Sequence, residues 1–153
     1  MRTDITISDV KKIDLPVIPD ARGNLSFVEE YKHIPFKINT AHWIYAVPEG
    51  EGPEGYSVKE SGELIVAISG GFDIILNDGN KEEKYSLKHS NFGLYIPAMI
   101  WRKIENFSTG SLAFVLSSAN SVEDNYIRNF EDFVRLKKYG FAVLCTFHCI
   151  EYL

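Results

Sequence analysis

ELIVAISGGFDIIL, residues 63–76, reads as a β-hairpin. Two runs of β-branched and apolar residues, Glu63–Ser69 and Phe72–Leu76, flank Ser69-Gly70-Gly71. Glycine enters positive φ without a steric penalty, as a tight turn between antiparallel strands requires. The same punctuation continues on both sides. Downstream, Asn77-Asp78-Gly79-Asn80 makes a second turn, followed by candidate strands Glu83–Leu87, Phe92–Ile96, Trp101–Asn106 and Ser111–Ser117. Upstream lie Ile5–Ile7, Lys11–Val17, Asn24–Glu30 and Ile38–Val47, separated by the loops Asp20–Gly23 and Pro48–Pro53. Short strands with turns every 8–12 residues or so predict an antiparallel sandwich or barrel, an all-β fold. One helix follows, predicted over Val122–Tyr139. Ser121 and Asp124 fit a capping box, and Ile127, Phe130, Phe133 and Val134 form its apolar stripe. Lys137 and Lys138 suit its negative end and Gly140 its stop. Residues 1–140 read as one domain. Residues 141–153 form an apolar extension, whether a strand, a dimer contact or a tail.

Composition narrows the function classes. At 153 residues and 17.4 kDa the chain fits a single core. Sixteen basic against 21 acidic residues leave a net charge of −5 with no basic cluster, which argues against a nucleic-acid partner. No apolar run approaches the roughly 20 residues of a membrane-spanning helix, so no membrane partner is expected. The first residues show no apolar core of a secretory signal, and Cys145 and Cys149 do not make a disulfide framework. A cytoplasmic, soluble protein is expected.

Two spaced sets of residues carry the functional signal. Tyr56-x-Val58 is followed by Glu63 and Gly70, and Pro97-x-Met99 by Arg102 and Asn106. This spacing resembles the two cupin motifs, where His-x-His, Glu and a further His converge on a metal. Here Tyr, Val and Arg stand at three of those four places. A transition metal needs about three or four N, O or S donors, and Arg102 would repel it, so neither metal nor cofactor is expected. His33, His42, His89 and His148 are irregularly spaced and read as surface or packing residues.

A closer resemblance covers about residues 11–138. It is carried by Asp20-Ala21-Arg22-Gly23-Asn24-Leu25, Glu29-Glu30, Ile34-Pro35-Phe36, Leu76-Asn77-Asp78-Gly79, Gly93-Leu94-Tyr95-Ile96, Trp101 and Tyr126-Ile127-Arg128. These resemble the WxcM-like cupins, the dTDP-4-keto-6-deoxyglucose 3,4-ketoisomerases. The resemblance implies a cupin-type jelly roll with one C-terminal helix, a homodimer with exchanged N-terminal strands, and a thymidine-diphosphate sugar as ligand. It also implies a metal-free reaction in which a base removes the C3 proton, an enediol forms and a proton returns at C4. Two histidines of a His-Ala-His-Lys stretch do that work in the family; here the stretch reads Tyr56-Ser57-Val58-Lys59.

Tyr56 is therefore the candidate catalytic residue, because Val58 carries no proton. Candidate substrate-binding residues are Arg22, Glu30, Tyr45, Lys59, Glu63, Tyr95, Trp101 and Arg102. The guanidinium of Arg22 suits oxyanions, and Glu30 suits sugar hydroxyls. Tyr45, Tyr95 and Trp101 offer flat faces to a base or sugar, with Trp43 as a further aromatic of this kind. Arg102 is expected to point inward against Glu63 or a ligand anion, and Tyr126 and Arg128 to close the barrel. Two functions remain open: an isomerase of deoxysugar and surface-polysaccharide synthesis, or a non-catalytic nucleotide-sugar binder or partner subunit of an active paralogue.

Overall fold

A computed structural model describes residues 3–120 and 125–140. Twelve strands and one helix follow in order: β1 (Lys11–Asp14), β2 (Val17–Asp20), β3 (Gly23–Ser26), β4 (Thr40–Ile44), β5 (Ser57–Val58), β6 (Glu63–Ser69), β7 (Phe72–Asn77), β8 (Glu82–Leu87), β9 (Phe92–Ile96), β10 (Trp101–Glu105), β11 (Leu112–Ser117), β12 (Tyr126–Ile127) and α1 (Phe130–Tyr139). The strands form a five-stranded sheet ordered β1-β9-β6-β11-β4 and a three-stranded sheet ordered β10-β7-β8, all pairs antiparallel. The β6–β7 turn places Gly70 at φ 62, as its sequence demands.

Alternation along each strand builds the core between the sheets. Ile65, Ala67, Leu94, Ile96, Ala113 and Val115 meet Phe72, Ile74, Leu76 and Ile104 across it. The opposite face of the five-stranded sheet carries Leu64, Val66 and Leu116, which are covered by Leu15, Ile34 and Phe36. These two sets of contacts make a jelly-roll barrel whose mostly apolar interior also holds the charged side chains of Glu63 and Arg102.

Several elements depart from the sequence reading. Ile5–Ile7 is not a strand; Ile7–Asp9 is a 3₁₀ turn, held because Asp78 accepts the Ile7 N–H at 3.0 Å. Lys11–Val17 divides at Leu15-Pro16 into β1 and the start of β2. The helix begins at Phe130, not Val122: the side chain of Asn129 caps it by accepting the Asp132 N–H at 3.1 Å. Tyr126–Ile127 pairs with Ser57–Val58 as β12 and β5. Ser121–Asp124, including the expected cap, and the extension at 141–153 lie outside the described residues. Gly140 ends α1 at φ 72, its N–H bonded to the Leu136 carbonyl. Phe133 and Leu136 seat the helix on Met99 and Ile127.

The β2–β3 hairpin stands apart. Among the described residues its two strands pair only with each other; every residue in them is exposed, and Val17, Ile18 and Leu25 are apolar.

Candidate active site

Two backbone hydrogen bonds bring β5 against β10. The N–H of Tyr56 donates to the Arg102 carbonyl at 2.9 Å, and the Arg102 N–H donates back to Tyr56 at 2.8 Å. On β10, Arg102 lies opposite Leu76, a core residue, so its side chain points inward. On β6, Glu63 lies opposite Ile96, also inward. The three side chains meet. Arg102 Nη1 donates to Glu63 Oε2 at 2.7 Å, and the Tyr56 hydroxyl donates to the same oxygen at 3.0 Å. The Tyr56 ring lies 5.5 Å from the guanidinium carbon and 5.6 Å from the ring of Tyr126.

Both charges of the pair are fully buried. Burial of an ion pair is tolerable only when further hydrogen bonds satisfy the groups. For Arg102 they do: Nη2 donates to the carbonyls of Pro97 and Ile100 at 3.2 and 3.0 Å, and Nε to Ile100 at 3.3 Å. The turn between β9 and β10 is shaped for this, with Met99 held at φ 59. Glu63 is less fully served. Its Oε1 is the one buried side-chain polar atom among the described residues without a hydrogen-bond partner. Burial pushes the Tyr56 hydroxyl well above its ordinary value of 10, and the charge of Glu63 adds to that, against the opposing pull of Arg102. Tyr126 is raised for the same two leading reasons.

The other sequence candidates fall elsewhere. Lys59 and Tyr95 line, with Ile5, Gly62 and Pro97, an open cavity of about 380 Å³. Tyr95 sits on the outward face of the five-stranded sheet and stacks on Phe36. Trp101 faces α1, edge-on to Phe130 at 5.2 Å. Tyr45 follows the edge strand β4 and is exposed, as is Trp43. Glu30 is exposed and accepts the Ile38 N–H at 2.9 Å. Arg22 lies at the tip of the β2–β3 hairpin, bonded to Asp20 at 2.8 Å with its side chain 90 % exposed. Within one chain, then, Tyr56, Glu63 and Arg102 share a site that Arg22 does not reach. Tyr126 joins that site, a placement the helical reading of its segment hid.

The interior donor set does not suit a cupin metal: beside the one carboxylate of Glu63 stand a phenol and the cationic Arg102, which would repel a metal ion. What the arrangement offers instead is a shielded carboxylate with one oxygen engaged, beside a protonated phenol.

Comparison with known proteins assigns the fold to a family. The WxcM-like, C-terminal family (FdtA) matches residues 8–138. The chain belongs to this WxcM-like family. It is similar, at 35 % identity over 130 residues, to the TDP-4-oxo-6-deoxy-alpha-D-glucose-3,4-oxoisomerase of Aneurinibacillus thermoaerophilus, covering 84 % of this chain and 91 % of that one. Among solved structures, the WlaRB TDP-quinovose 3,4-ketoisomerase of Campylobacter jejuni superposes with a TM-score of 0.81 at 36 % identity, covering 84 % of this chain and 99 % of that one. QdtA, a sugar 3,4-ketoisomerase from Thermoanaerobacterium thermosaccharolyticum solved with TDP, gives a TM-score of 0.84 at 28 % identity, covering 89 % and 99 %. The WxcM-like chain thus shares its cupin jelly roll with sugar isomerases along nearly their whole length.

Proposed function

We propose that this protein is a 3,4-ketoisomerase of a thymidine-diphosphate-linked 4-keto-6-deoxyhexose, serving deoxysugar and surface-polysaccharide synthesis in the cytoplasm, with Tyr56 as a catalytic group. The observation that carries this reading is the inward cluster in which Tyr56, at one of the family's two histidine positions, meets Glu63 and Arg102. Tyr56 stays protonated at neutral pH, so it serves as a hydrogen-bond and proton donor to a sugar oxygen. Lys59 and Tyr95, which line a cavity with Pro97, would offer a cation to the diphosphate and a flat face to the base.

The functional unit in this proposal is a homodimer. An isolated two-stranded hairpin is marginal in water, and the exposed Val17, Ile18 and Leu25 of β2–β3 need a surface to cover them. Seating that hairpin on a second copy would carry Arg22 to the partner's sugar site, which accounts for its distance from its own. Trp101, Tyr45 and Glu30 enter the proposal only through the dimer or the packing of α1.

A second reading has its own observation. Val58 is fully buried and inert, and most donors of Arg102 are consumed internally, which favours a nucleotide-sugar binder without turnover or the partner subunit of an active paralogue. Incubation with TDP-4-keto-6-deoxyglucose, followed by NMR, separates the two. The 3-keto product supports the isomerase; thermal stabilisation by TDP with unchanged substrate supports the binder. Stabilisation by neither ligand at millimolar concentration would remove both.

A further inference from the structure

We infer that the Glu63 carboxylate, acting through Oε1, is the base that moves the proton between the two adjacent sugar carbons. The assignment rests on the isomerase reading above and supplies the group that reading lacks. Val58 has no proton to exchange, and Arg102 is a permanent cation. Glu63 is the acidic side chain that meets Tyr56 inside the barrel, and its two oxygens are treated unequally. Oε2 takes the hydrogen bonds from Tyr56 and Arg102, fixing the group in place. Oε1 takes none, although a buried carboxylate oxygen is costly to leave unsatisfied. Of the two side chains that hold Glu63, Arg102 is sealed and Tyr56 is half-buried, so the phenol is the side of the cluster nearest solvent.

The proton balance closes with these groups alone. Oε1 takes the C3 proton, and the C3–H electron pair becomes the C3=C4 bond as the Tyr56 hydroxyl turns from Glu63 Oε2 and gives its proton to the C4 carbonyl oxygen, Arg102 still holding Oε2. The enediol then collapses: the C3 hydroxyl returns its proton to Tyr56 as C3=O forms, and Glu63 delivers its proton to C4. Nothing is oxidised or reduced overall. Because C3 and C4 are neighbours, one carboxylate on one face serves both, with Arg102 as its positioning residue.

A base screened from water and carrying a single hydrogen should pass that hydrogen on before it exchanges. Conversion of substrate deuterated at C3, in ordinary water, is therefore expected to leave deuterium at C4 of the 3-keto product, read by NMR or mass spectrometry. Glu63→Gln is expected to lose turnover by roughly a hundredfold or more while TDP still raises its Tm. Product wholly free of label overturns the assignment, whatever the variant does, and leaves the isomerase reading standing. So does a Glu63→Gln protein that turns over within tenfold of the wild type. Absence of any 3-keto product from the wild type overturns the isomerase reading and the base together.

Discussion

Glu63 and Arg102 meet at 2.7 Å through a single carboxylate oxygen, inside a barrel that closes both side chains from solvent. The pair is thirty-nine residues apart in sequence and joins the two facing sheets, since Glu63 is on β6 and Arg102 on β10. It is a structural clamp as well as the centre of the proposed site.

That double role sets the cost of breaking it. Arg102→Met strands the Glu63 charge and frees the Pro97 and Ile100 carbonyls, so a loss of about 3–5 kcal/mol is expected in urea denaturation at neutral pH. Adding Glu63→Leu removes the stranded charge and should return most of that loss. If the double variant is no more stable than the single one, the clamp is not electrostatic.

Imidazoles can be put back. In the Tyr56→His, Val58→His double variant one imidazole replaces the phenol that meets Glu63 and the other a fully buried valine two residues on, and general acid–base groups typically contribute about 10²–10⁴-fold each. Isomerase activity is expected to appear or rise, measured as 3-keto product per hour. A variant that folds and binds TDP yet gains nothing would show that the pocket differs in more than its proton carriers.

Acid should loosen the three-stranded sheet. Burial alone would raise Asp73, but Lys84, Ser86 and Asn106 outweigh it and hold the carboxylate down to about 2. A depressed carboxylate stabilises the fold above its unfolded pKa, near 4, and that contribution fades as pH falls toward 2. It is worth about 2 kcal/mol at pH 7. Asp73→Asn should lose most of it and show a flatter stability profile between pH 4 and 2.

The hairpin predicts an assembly state. Ile18→Asp with Leu25→Asp places charge on the exposed apolar face of β2–β3 without touching the barrel core. Light scattering is expected to give a dimer for the wild type and a monomer for this variant, with circular dichroism unchanged. A wild-type monomer at tens of micromolar would rule out the exchanged arrangement.

The parts of the fold visible in the sequence were those with a local cause. Gly70 marks the β6–β7 turn, and β9 spans Phe92–Ile96 as its aromatic and branched residues suggest. Elements set by distant partners were hidden. Ile7 turns because Asp78, 71 residues on, takes its N–H. Strands β5 and β12 are two residues each, too short for a period, and Ile127 at three-residue spacing from Phe130 fits a helix as well as a strand running into one. At the site, motif spacing aimed Arg102 inward and left its partner open between Glu63 and a ligand anion; the structure supplies Glu63. The unequal use of the Glu63 oxygens depends on three elements converging, and no linear pattern encodes that. Arg22 shows the converse: its loop motif is legible, but its place on a detached hairpin is not.

A guanidinium keeps its charge at any pH a cell visits. Because Arg102 is tethered by its own backbone at the heart of the barrel, the positive end of this site cannot be stripped by a chelator, exchanged for a competing ion or starved by scarcity. Supply of that charge is settled once, at translation.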